Sequence, residues 1–376
     1  MKKAAVLGVT GSIGKSSLDV LRQGYFEPVL FSAHTNHTDL LELKKEFPAV
    51  LLALSGNASS LSGIAYNGRQ GLMDAISDCK ADIIINGITG AAGLEPSIAA
   101  LKTGARLALA NKESIVMAGP LILTSGKDKI IPVDSEHSAI FFLINAHGRE
   151  NIKEIILTAS GGPFRNYTHE KLAKVKPEHA LDHPTYSMGP KISVDSATLA
   201  NKGLEVIEAA RLFDLPPEQI RVIIHPQSII HSMVLLKDGN IYCQMSKPDM
   251  RQPIHNALHW PEIIPTTIPA LNEALDFQGL SLNFELPDLV RFPMLSLAYQ
   301  ALREGPLHPV AYNAANESAV EAFLSEAISF LEIPRIVEYV LNKGPWSKNH
   351  VSDLSTILEA DKISRNLAFE FIGRLK

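Results

Sequence analysis

Residues 4–21 read AAVLGVTGSIGKSSLDVL, and this stretch decides the fold. An apolar run at Ala4–Val9 predicts a buried strand, and Ile13–Arg22 carries apolar residues at helical spacing. Three glycines spaced as GxxGxxG join the two at residues 8–14. Glycine permits a tight turn, lets the backbone approach a pyrophosphate and leaves the N-terminus of the helix facing its charge. The stretch therefore predicts a dinucleotide-binding turn, with a purely structural turn as the alternative.

The same alternation of apolar runs and amphipathic stretches continues to about Val133. Strands that alternate with helices indicate an α/β fold, here a Rossmann-like doubly wound parallel sheet in a domain of residues 1–133. Thr38 is placed as the N-cap of the second helix. Further strands are predicted at Val29–Ala33, Ala49–Leu54, Asp82–Asn86, Arg106–Ala110 and Ile130–Val133, and helices at Thr38–Phe47 and Pro96–Thr103.

Residues 134–261 have a different pattern, which predicts a central α+β catalytic domain. Lys237–Asn240 has the composition of a hairpin turn between two strand-like runs, so we expect an antiparallel sheet. Residues 161–191 carry four prolines and predict a long structureless segment that serves as a lid or binding loop. The strand-like runs are Ile155–Ala159, Val222–Ile224, Ile229–Leu236 and Ile241–Met245.

The rest of the chain predicts a linker and a small all-helical C-terminal domain. Residues 262–288 are punctuated by prolines and have little pattern, as a linker would. Residues 289–376 form the helical domain, with helices predicted at Leu289–Glu304, Ala311–Ser325, Ile333–Asn342 and Ile357–Leu375.

Composition narrows the classes of function. Among 376 residues, 46% are hydrophobic, and 35 basic against 40 acidic side chains give a formal net charge of −5. That balance lacks the basic footprint of a nucleic-acid or membrane-surface binder, so neither partner is expected. The two cysteines, Cys79 and Cys243, stand in no CxxC pattern, which excludes a disulfide scaffold and a thiolate zinc site. Without an apolar run long enough to span a bilayer, we expect a soluble cytoplasmic protein.

The end of the second strand indicates which dinucleotide is bound. An NAD enzyme usually carries an Asp or Glu there, which holds the ribose 2′-hydroxyl. Here the strand runs into residues 32–37, which read SAHTNH and contain no carboxylate. Since a carboxylate would repel a 2′-phosphate, its absence favours NADP, although no Arg or Lys is present either.

Two acidic residues follow the last strand of the first domain. Asp134 and Glu136 are two positions apart, so in extended backbone they would lie on one face and could share a divalent cation. Oxygen ligands suit Mg²⁺ or Mn²⁺. The alternative is a helix N-cap with ordinary surface acids, and the hexapeptide alone does not separate the two.

A second polar cluster begins near residue 193. Ser196, Asn201 and Lys202 offer a hydroxyl, an amide and an ammonium within two predicted helical turns, a set suited to phosphate. Lys202 and Glu205 are three apart, so a solvated ion pair is the alternative. The same spacing lets Lys202 reach a phosphate while Glu205 completes a metal site.

Two further segments follow predicted strands. Residues 160–162 read SGG, a second candidate anion nest. Residues 110–114 read ANKES, which would put Lys112 near the nicotinamide.

Taken together, these segments resemble the 1-deoxy-D-xylulose 5-phosphate reductoisomerase family. They cover most of the chain in order, and a generic Rossmann enzyme would share only the first of them. The matching segments are GVTGSIG (8–14), ANKES (110–114), PVDSEHSAIF (132–141), SGGPF (160–164), KISVDSATLANKGLE (191–205), IHPQSIIHSMV (224–234), PDMR (248–251) and NAANE (313–317).

The resemblance implies an NADPH- and divalent-metal-dependent homodimer that rearranges and reduces 1-deoxy-D-xylulose 5-phosphate to 2-C-methyl-D-erythritol 4-phosphate, in isoprenoid precursor synthesis. It implies metal binding (Mn²⁺, Mg²⁺ or Co²⁺) at Asp134, Glu136 and Glu205, and a lid at residues 161–191. The implied catalytic residues are Lys112, Glu136, His183 and His231. The implied substrate contacts are Lys112, Ser135, Glu136, Ser160, His183, Ser196, Asn201, Lys202 and Glu205. The implied cofactor contacts are Gly8, Thr10, Gly11, Ser12, Ile13, Gly14, His34, Thr35, Asn36, Asn111, Glu113 and Met250.

Two positions depart from the family pattern. Tyr186 stands where the family often has Trp in its lid motif, which keeps an aromatic cover. Residues 34–36 read HTN in place of the family's Gly-Lys-Asn, so the preference for NADP over NAD is expected to be less strict.

Two other functions fit parts of the pattern. One is another NADP-dependent Rossmann dehydrogenase acting on a phosphorylated or acidic metabolite. A semialdehyde dehydrogenase of that kind would need a nucleophilic cysteine, and Cys243 lies in the predicted hairpin with no base pattern nearby. The other is a non-catalytic NADP-sensing module, which would have no use for the acidic residues.

Overall fold

The structure, a computed structural model, describes residues 1–56, 61–181, 189–346, 351 and 353–375. Of the predicted site residues, His183 lies outside this part, as does Tyr186 of the lid motif. The chain forms two compact units. Unit 1 comprises Met1–Ser114, Ile122–Phe141 and Lys247–Phe277, and unit 2 comprises Ile115–Leu121, Phe142–Ser246 and Gln278–Lys376. The division into three domains and a linker stays a prediction.

Unit 1 is built on a seven-stranded parallel sheet with the order β4-β3-β2-β1-β5-β6-β7. The predicted doubly wound parallel sheet is confirmed, and each predicted strand is present with its bounds shifted by a few residues. Only the two-residue β4 was not predicted, because so short a segment carries no pattern. The strands are β1 (Lys2–Leu7), β2 (Phe26–Ala33), β3 (Leu51–Leu54), β4 (Tyr66–Asn67), β5 (Ile83–Asn86), β6 (Arg106–Leu109) and β7 (Ile130–Pro132).

The strand order places a binding crevice. β1 pairs with both β2 and β5, so the strand order reverses at β1, and open α/β sheets bind their ligands beyond the carboxyl ends of the strands at such a point. The helices before the second sheet are α1 (Ser12–Leu21), α2 (His37–Glu46), α3 (Gly68–Asp78), α4 (Leu94–Lys102), α5 (Lys112–Gly126) and α6 (Ser135–His147).

The second helix begins earlier than predicted. The N-cap of α2 is Asn36, whose side-chain oxygen accepts a hydrogen bond from the Asp39 amide at 3.2 Å. The prediction of Thr38 as the cap is therefore wrong. Asparagine ranks above threonine as an N-cap residue, and its side-chain oxygen here satisfies an amide of the first turn.

Unit 2 contains a four-stranded sheet with the order β11-β10-β8-β9. The predicted hairpin of β10 and β11 is confirmed, and β10 also pairs antiparallel with β8. The sheet is mixed, however, because β9 pairs parallel with β8. Helices fill the long connection between those two strands, which gives the chain room for a parallel return. The strands are β8 (Ile152–Ala159), β9 (Ile220–Ile224), β10 (Ile230–Leu236) and β11 (Ile241–Met245).

The connection from β8 to β9 includes the predicted lid. Two short helices lie within residues 161–181, so the expectation of a structureless segment is wrong for residues 169–172 and 177–181. The helices of this connection are α7 (His169–Leu172), α8 (Pro177–Leu181), α9 (Pro190–Thr198) and α10 (Ala200–Leu212).

The four predicted C-terminal helices are confirmed with shifted bounds. Among them α14 (His308–Leu324) packs against α13 (Met294–Glu304), α15 (Glu332–Lys343), α16 (Leu354–Leu375) and α9 (Pro190–Thr198), so it forms the centre of this helical part of unit 2. No helix in the described ranges is both long and apolar enough to cross a membrane. The remaining helices are α11 (Arg251–His259), α12 (Pro269–Asn272), α13 (Met294–Glu304), α14 (His308–Leu324), α15 (Glu332–Lys343) and α16 (Leu354–Leu375).

Candidate active site

The glycine turn after β1 is held tightly by its neighbours. Gly8 has a φ of +80°, and the amides of Gly8 and Val9 donate to the carbonyl of Ser32 at 3.0 and 2.8 Å. A Cβ on Gly8 would lie 3.0 Å from the carbonyl oxygen of Gly87, and one on Gly14 would lie 2.2 Å from that of Val9. Both glycines are therefore required by the fold itself.

Gly11 is different, because the fold leaves space beside it. Its φ of −80° is ordinary, and among the described residues a Cβ there would contact only the Gly8 carbonyl oxygen, at 3.4 Å. Gly11 is also the N-cap of α1 and provides no side chain to cap it. The fold itself thus does not require glycine at this position, and the first amides of α1 have no side-chain cap, which fits a turn that binds a pyrophosphate.

The end of β2 presents exposed polar residues. The Nδ1 atom of His34 lies 3.1 Å from the hydroxyl of Ser55, and Thr35 is exposed. Asn36 caps α2 and donates from its side-chain amide to a carboxylate oxygen of Asp39 at 2.8 Å. Asp39 is thus a carboxylate near this end of β2 that the sequence argument, confined to residues 32–37, did not include.

Other predicted cofactor contacts lie around the turn. Ser12 begins α1, and Ile13 packs against the core of unit 1. Thr10 lines a cleft of about 540 Å³ beside α1, where Lys15 and Asp39 also lie. Met250 is half-buried at the N-cap of α11 and packs against the same core.

Asn111 holds together the loops at the carboxyl ends of the sheet. Its side-chain oxygen accepts from the Ser114 amide at 2.9 Å, which caps α5. Its amide group donates to the carbonyls of Ile88 and Gly90 at 2.6 and 2.8 Å, and to the buried Glu113 at 3.2 Å. These hydrogen bonds hold the loop after β5 in place. A contact between the Asn111 side chain and the cofactor stays a prediction.

Lys112 and Asp134 form a largely buried ion pair in unit 1. The ammonium lies 2.7 Å from a carboxylate oxygen of Asp134, and each side chain is 11% exposed. The other oxygen of Asp134 accepts from the amide of Glu136 at 3.2 Å, while Ser135 donates to the Glu136 carboxylate at 2.6 Å. The ring of His137 lies 3.4 Å from Asp134.

The chain turns from β7 into α6 at these acids, so the expectation of one extended segment is wrong. Glu136 lies in the first turn of α6, and Asp134 caps that helix. The partial positive charge at a helix N-terminus stabilises both carboxylates. The N-cap part of the alternative is thus correct, but Asp134 is largely buried and paired with Lys112, so it is not an ordinary surface acid. The metal-binding role of both acids stays a prediction.

In unit 2, Ser160–Gly162 packs against the end of α9. Gly161 and Gly162 have φ values of +88° and +69°, and a Cβ on Gly162 would lie 2.6 Å from the carbonyl oxygen of Ser196. The hydroxyl of Ser160 accepts from the Gly162 amide at 3.3 Å. Two predicted phosphate contacts, Ser160 and Ser196, are thus brought together by a close backbone approach.

Ser196 lies on a different helix from Asn201 and Lys202, contrary to the expectation of two continuous turns. Leu199, with a φ of +63°, separates α9 from α10. The hydroxyl of Thr198 accepts from the Ala200 amide at 3.2 Å and so stabilises the junction.

The side chains of Asn201 and Lys202 converge on Glu205. Asn201 donates to one carboxylate oxygen at 2.5 Å, and Lys202 donates to the other. Lys202 is 3% and Glu205 is 1% exposed, so the alternative of a solvated ion pair is wrong. A buried charge pair of this kind is costly to desolvate.

Three acidic side chains could hold a metal ion. Asp134 and Glu136, at the N-terminus of α6 in unit 1, and Glu205, on α10 in unit 2, are the described acidic residues that form a candidate set of metal ligands. A donor set made only of carboxylate oxygens fits Mg²⁺ or Mn²⁺.

One predicted catalytic histidine, His231, and both cysteines lie in the described part of the chain. The Nε2 atom of buried His231 lies 2.9 Å from the hydroxyl of Ser246. Burial raises the pKa of Cys79 and of Cys243, so neither thiol is an activated nucleophile. This argues against a dehydrogenase that uses a cysteine nucleophile.

Sequence reasoning did not identify two polar residues, Ser32 and Asn86, that support the loops of the candidate site through hydrogen bonds. Ser32 accepts from the glycine turn, and Asn86 donates to Ser97 at 2.8 Å while it accepts from the Ile88 amide at 3.1 Å. Asp195 lies within the family-like segment at residues 191–205, but its residue type and spacing indicate no function. Asn86 is a polar residue at the carboxyl end of β5, beside the point where the strand order reverses. That position is the sequence signal that could have identified it.

Three family models match the chain. Residues 4–119 match 1-deoxy-D-xylulose 5-phosphate reductoisomerase, residues 130–213 match the C-terminal domain of that enzyme, and residues 245–367 match the DXP reductoisomerase C-terminal domain.

Curated relatives and solved structures agree with these matches. The 1-deoxy-D-xylulose 5-phosphate reductoisomerase of Acinetobacter baumannii is 44% identical and covers 100% of this chain and 99% of the relative. That of Treponema denticola is 47% identical over 97% of each chain. A crystal structure of DOX-P reductoisomerase with NADPH, fosmidomycin and magnesium is similar with a TM-score of 0.92 and 39% identity, over 100% and 99% of the two chains. The Zymomonas mobilis enzyme with NADPH gives 0.89 and 40%, over 99% of each. The chain therefore belongs to the 1-deoxy-D-xylulose 5-phosphate reductoisomerase family.

Proposed function

We propose that this protein converts 1-deoxy-D-xylulose 5-phosphate into 2-C-methyl-D-erythritol 4-phosphate, by rearrangement of the carbon skeleton and hydride transfer. Family membership makes the chain an NADPH-dependent oxidoreductase that acts with a divalent cation. The observation that carries the proposal is the group of Asp134, Glu136 and Glu205 in a chain of this family. Another NADP-dependent Rossmann dehydrogenase, acting on a phosphorylated or acidic metabolite, would not need three acidic ligands for a cation.

The three acids are the residues that would hold the cation. When bound, the cation supplies Lewis-acid polarisation of substrate oxygen atoms and a template for their orientation. Lys112 orients Asp134 through the 2.7 Å ion pair, and Asn201 and Lys202 orient Glu205 in the same way.

Ser160, Ser196, Asn201 and Lys202 would bind the substrate phosphate. The glycine conformation at Gly162 brings two of these residues together. An ammonium has three N–H donors, so the bond from Lys202 to Glu205 does not by itself prevent donation to a phosphate oxygen. Its burial strengthens that attraction, because little solvent screens it.

The turn at residues 8–14 would bind NADPH, which supplies the hydride. The open space at Gly11 and the uncapped start of α1 receive the pyrophosphate, and residues 34–36 lie at the end of β2, where the adenosine ribose is expected. Asn111 and Glu113 would support the nicotinamide end, and Met250 would pack beside it.

Lys112, Glu136 and His231 are the described residues proposed to act on the reacting carbon skeleton, with His183 from the lid. Ser135 would contact a substrate hydroxyl. The lid at residues 161–191 would close over the substrate and exclude water from the reactive aldehyde.

Turnover with an identified product tests the proposal. The purified protein is incubated with 1-deoxy-D-xylulose 5-phosphate, NADPH and Mn²⁺, and the product is identified by NMR. We expect one branched tetritol phosphate per NADPH oxidised. Reduction of the substrate without a change of its carbon skeleton would refute the rearrangement, and no oxidation would refute the function.

We also propose that the protein is a homodimer, as the family resemblance implies. In support, β11 is an edge strand, and its Ile241 and Tyr242 are 55% and 41% exposed. An exposed apolar edge strand is prone to pairing with a second chain. Analytical ultracentrifugation of Ile241→Lys should show monomers, with Ile263→Lys, at a 94% exposed apolar residue, as the control that stays dimeric. Unchanged dimers in Ile241→Lys would exclude this edge as the interface. Location in the cytoplasm and the absence of a nucleic-acid partner stay predictions.

A further inference from the structure

A buried polar pair connects α14 with α9. Asp195 on α9 is 1% exposed, and its carboxylate accepts from the side-chain amide of Asn316 on α14 at 2.7 Å. Its second oxygen lies 2.8 Å from the ammonium of Lys191. A buried carboxylate is tolerated only when it is paired in this way, so Asn316 has a specific electrostatic partner far away in sequence.

The orientation of Asn316 is fixed by that partner. A carboxylate only accepts hydrogen bonds, so the amide nitrogen of Asn316 must face Asp195. Asn316 is fully buried, so neither water nor a second rotamer can replace the contact without a cost.

A second contact from α14 reaches α10. The hydroxyl of Tyr312 packs against Gly203: a Cβ added at Gly203 would lie 2.6 Å from the hydroxyl oxygen. The same hydroxyl donates a hydrogen bond to the Met294 carbonyl at 3.1 Å. Burial, and to a lesser degree the charge of Asp195, raises the pKa of Tyr312, so the hydroxyl stays protonated as a donor.

Both contacts fall next to proposed phosphate-binding residues. Asp195 precedes Ser196, and Gly203 follows Lys202. Since α9 and α10 are separate helices joined at Leu199, their relative placement needs an outside support, and α14 contacts both.

We infer that Asn316 is a positioning residue for the phosphate subsite: through Asp195 it sets the place of Ser196, while Tyr312 sets that of Lys202. The inference rests on the proposed function, because it assumes that these residues bind the substrate phosphate. It gives the NAANE segment of the C-terminal helices a role in substrate affinity and not only in packing.

The test compares Asn316→Leu, similar in size but without the amide, with a matched control. Ser318→Ala removes a buried hydroxyl of the same helix that bonds the carbonyl of Ala314 at 3.0 Å, away from Asp195. Loss of one hydrogen bond to a charged group should raise the KM for 1-deoxy-D-xylulose 5-phosphate about tenfold. The KM for NADPH should stay within about twofold in both variants, and Ser318→Ala should leave both constants unchanged.

A rescue separates positioning from general damage. In the double variant Asp195→Asn with Asn316→Asp, the amide placed at position 195 can donate to the carboxylate placed at position 316, and its oxygen can accept from Lys191. The substrate KM should therefore return towards the wild-type value. Should Asn316→Leu fail to fold, Asn316→Ser takes its place, because its short side chain cannot reach Asp195.

The outcomes are distinct. An active wild type with an unchanged substrate KM in folded Asn316→Leu overturns the inference, and so does an equal rise of both KM values. No rescue in the folded double variant also overturns it. A wild type without turnover refutes the proposed function instead.

Discussion

Replacing Gly11 by alanine separates the glycine that we propose the cofactor requires from those that the fold requires. At a φ of −80° and a ψ of 178°, alanine is allowed, and its Cβ would meet only the Gly8 carbonyl oxygen at 3.4 Å. Alanine is a poorer N-cap than glycine by about 0.5–1 kcal/mol. It also lowers the conformational entropy of the unfolded chain, which stabilises the folded state by a similar free energy. The free energy of unfolding should therefore change by less than about 1 kcal/mol.

The affinity for NADPH should change much more. In the glycine turn of a dinucleotide site the backbone approaches the pyrophosphate closely, so an added methyl group at Gly11 would hold the proposed pyrophosphate away from the amides of α1. Loss of one charge-assisted hydrogen bond costs about 1.5–3 kcal/mol, and about 1.4 kcal/mol is a factor of ten. We expect the Kd for NADPH to rise about tenfold to a hundredfold.

The assay is a fluorescence titration with NADPH, together with thermal unfolding of the free protein. Gly14→Ala is the matched control, because its Cβ would lie 2.2 Å from the Val9 carbonyl oxygen and the backbone must move. That variant should lose both stability and affinity. Wild-type NADPH affinity in Gly11→Ala would refute a pyrophosphate at this turn.

Three further predictions concern the metal group, the choice of dinucleotide and pH. Glu205→Gln keeps the shape of the side chain but removes its charge, so kcat should fall by about a hundredfold or more while the Kd for NADPH stays nearly constant; near-wild-type turnover would contradict the metal role. Asn36→Asp keeps an oxygen for the N-cap but replaces the bond to the Asp39 carboxylate by repulsion, which affects both dinucleotides alike, whereas the new charge would repel only a 2′-phosphate; paired titrations should therefore show the preference for NADPH over NADH falling about tenfold, and an unchanged ratio would place the phosphate elsewhere. Burial lowers the pKa of His259, so the folded protein binds a proton less readily than the unfolded chain, and stability is lost as the pH falls below the ordinary imidazole value of about 6.5. The melting temperature should drop from pH 7.5 to about 5.5, and less so in His259→Phe, which keeps the ring contacts with Tyr25 and Phe26; equal slopes would exclude His259 as the source.

The first sheet could be predicted because its signals are local. Each buried parallel strand is a short apolar run next to a turn, and the glycine spacing after β1 defines the crossover into α1. The hairpin of β10 and β11 could be predicted for the same reason, since its turn and strands are adjacent in sequence.

The errors arose where long-range contacts decide. The parallel pairing of β9 depends on the path of the chain through α7–α10, which no local pattern encodes. Burial of Lys202 and Glu205 depends on helices packed around α10, so a solvated pair and a buried pair look alike in sequence.

The candidate site shows the same limit. Residue types and spacing indicated Asp134, Glu136 and Glu205 as acids for a cation. Spacing could not show that Asp134 caps a helix, because an N-cap and a metal ligand use the same side chain. The partner of Asp195 lies on α14, so sequence spacing gave no sign of that pair.

Metal-dependent turnover tests the central claim most directly. Protein freed of metal by a chelator is mixed with NADPH and 1-deoxy-D-xylulose 5-phosphate, and the absorbance of the reduced nicotinamide is followed before and after Mn²⁺ is added. We predict no oxidation of NADPH without the cation and full turnover with it. Turnover that proceeds equally well in the chelated protein, or none after Mn²⁺ is restored, would contradict a reductoisomerase that works through these three carboxylates.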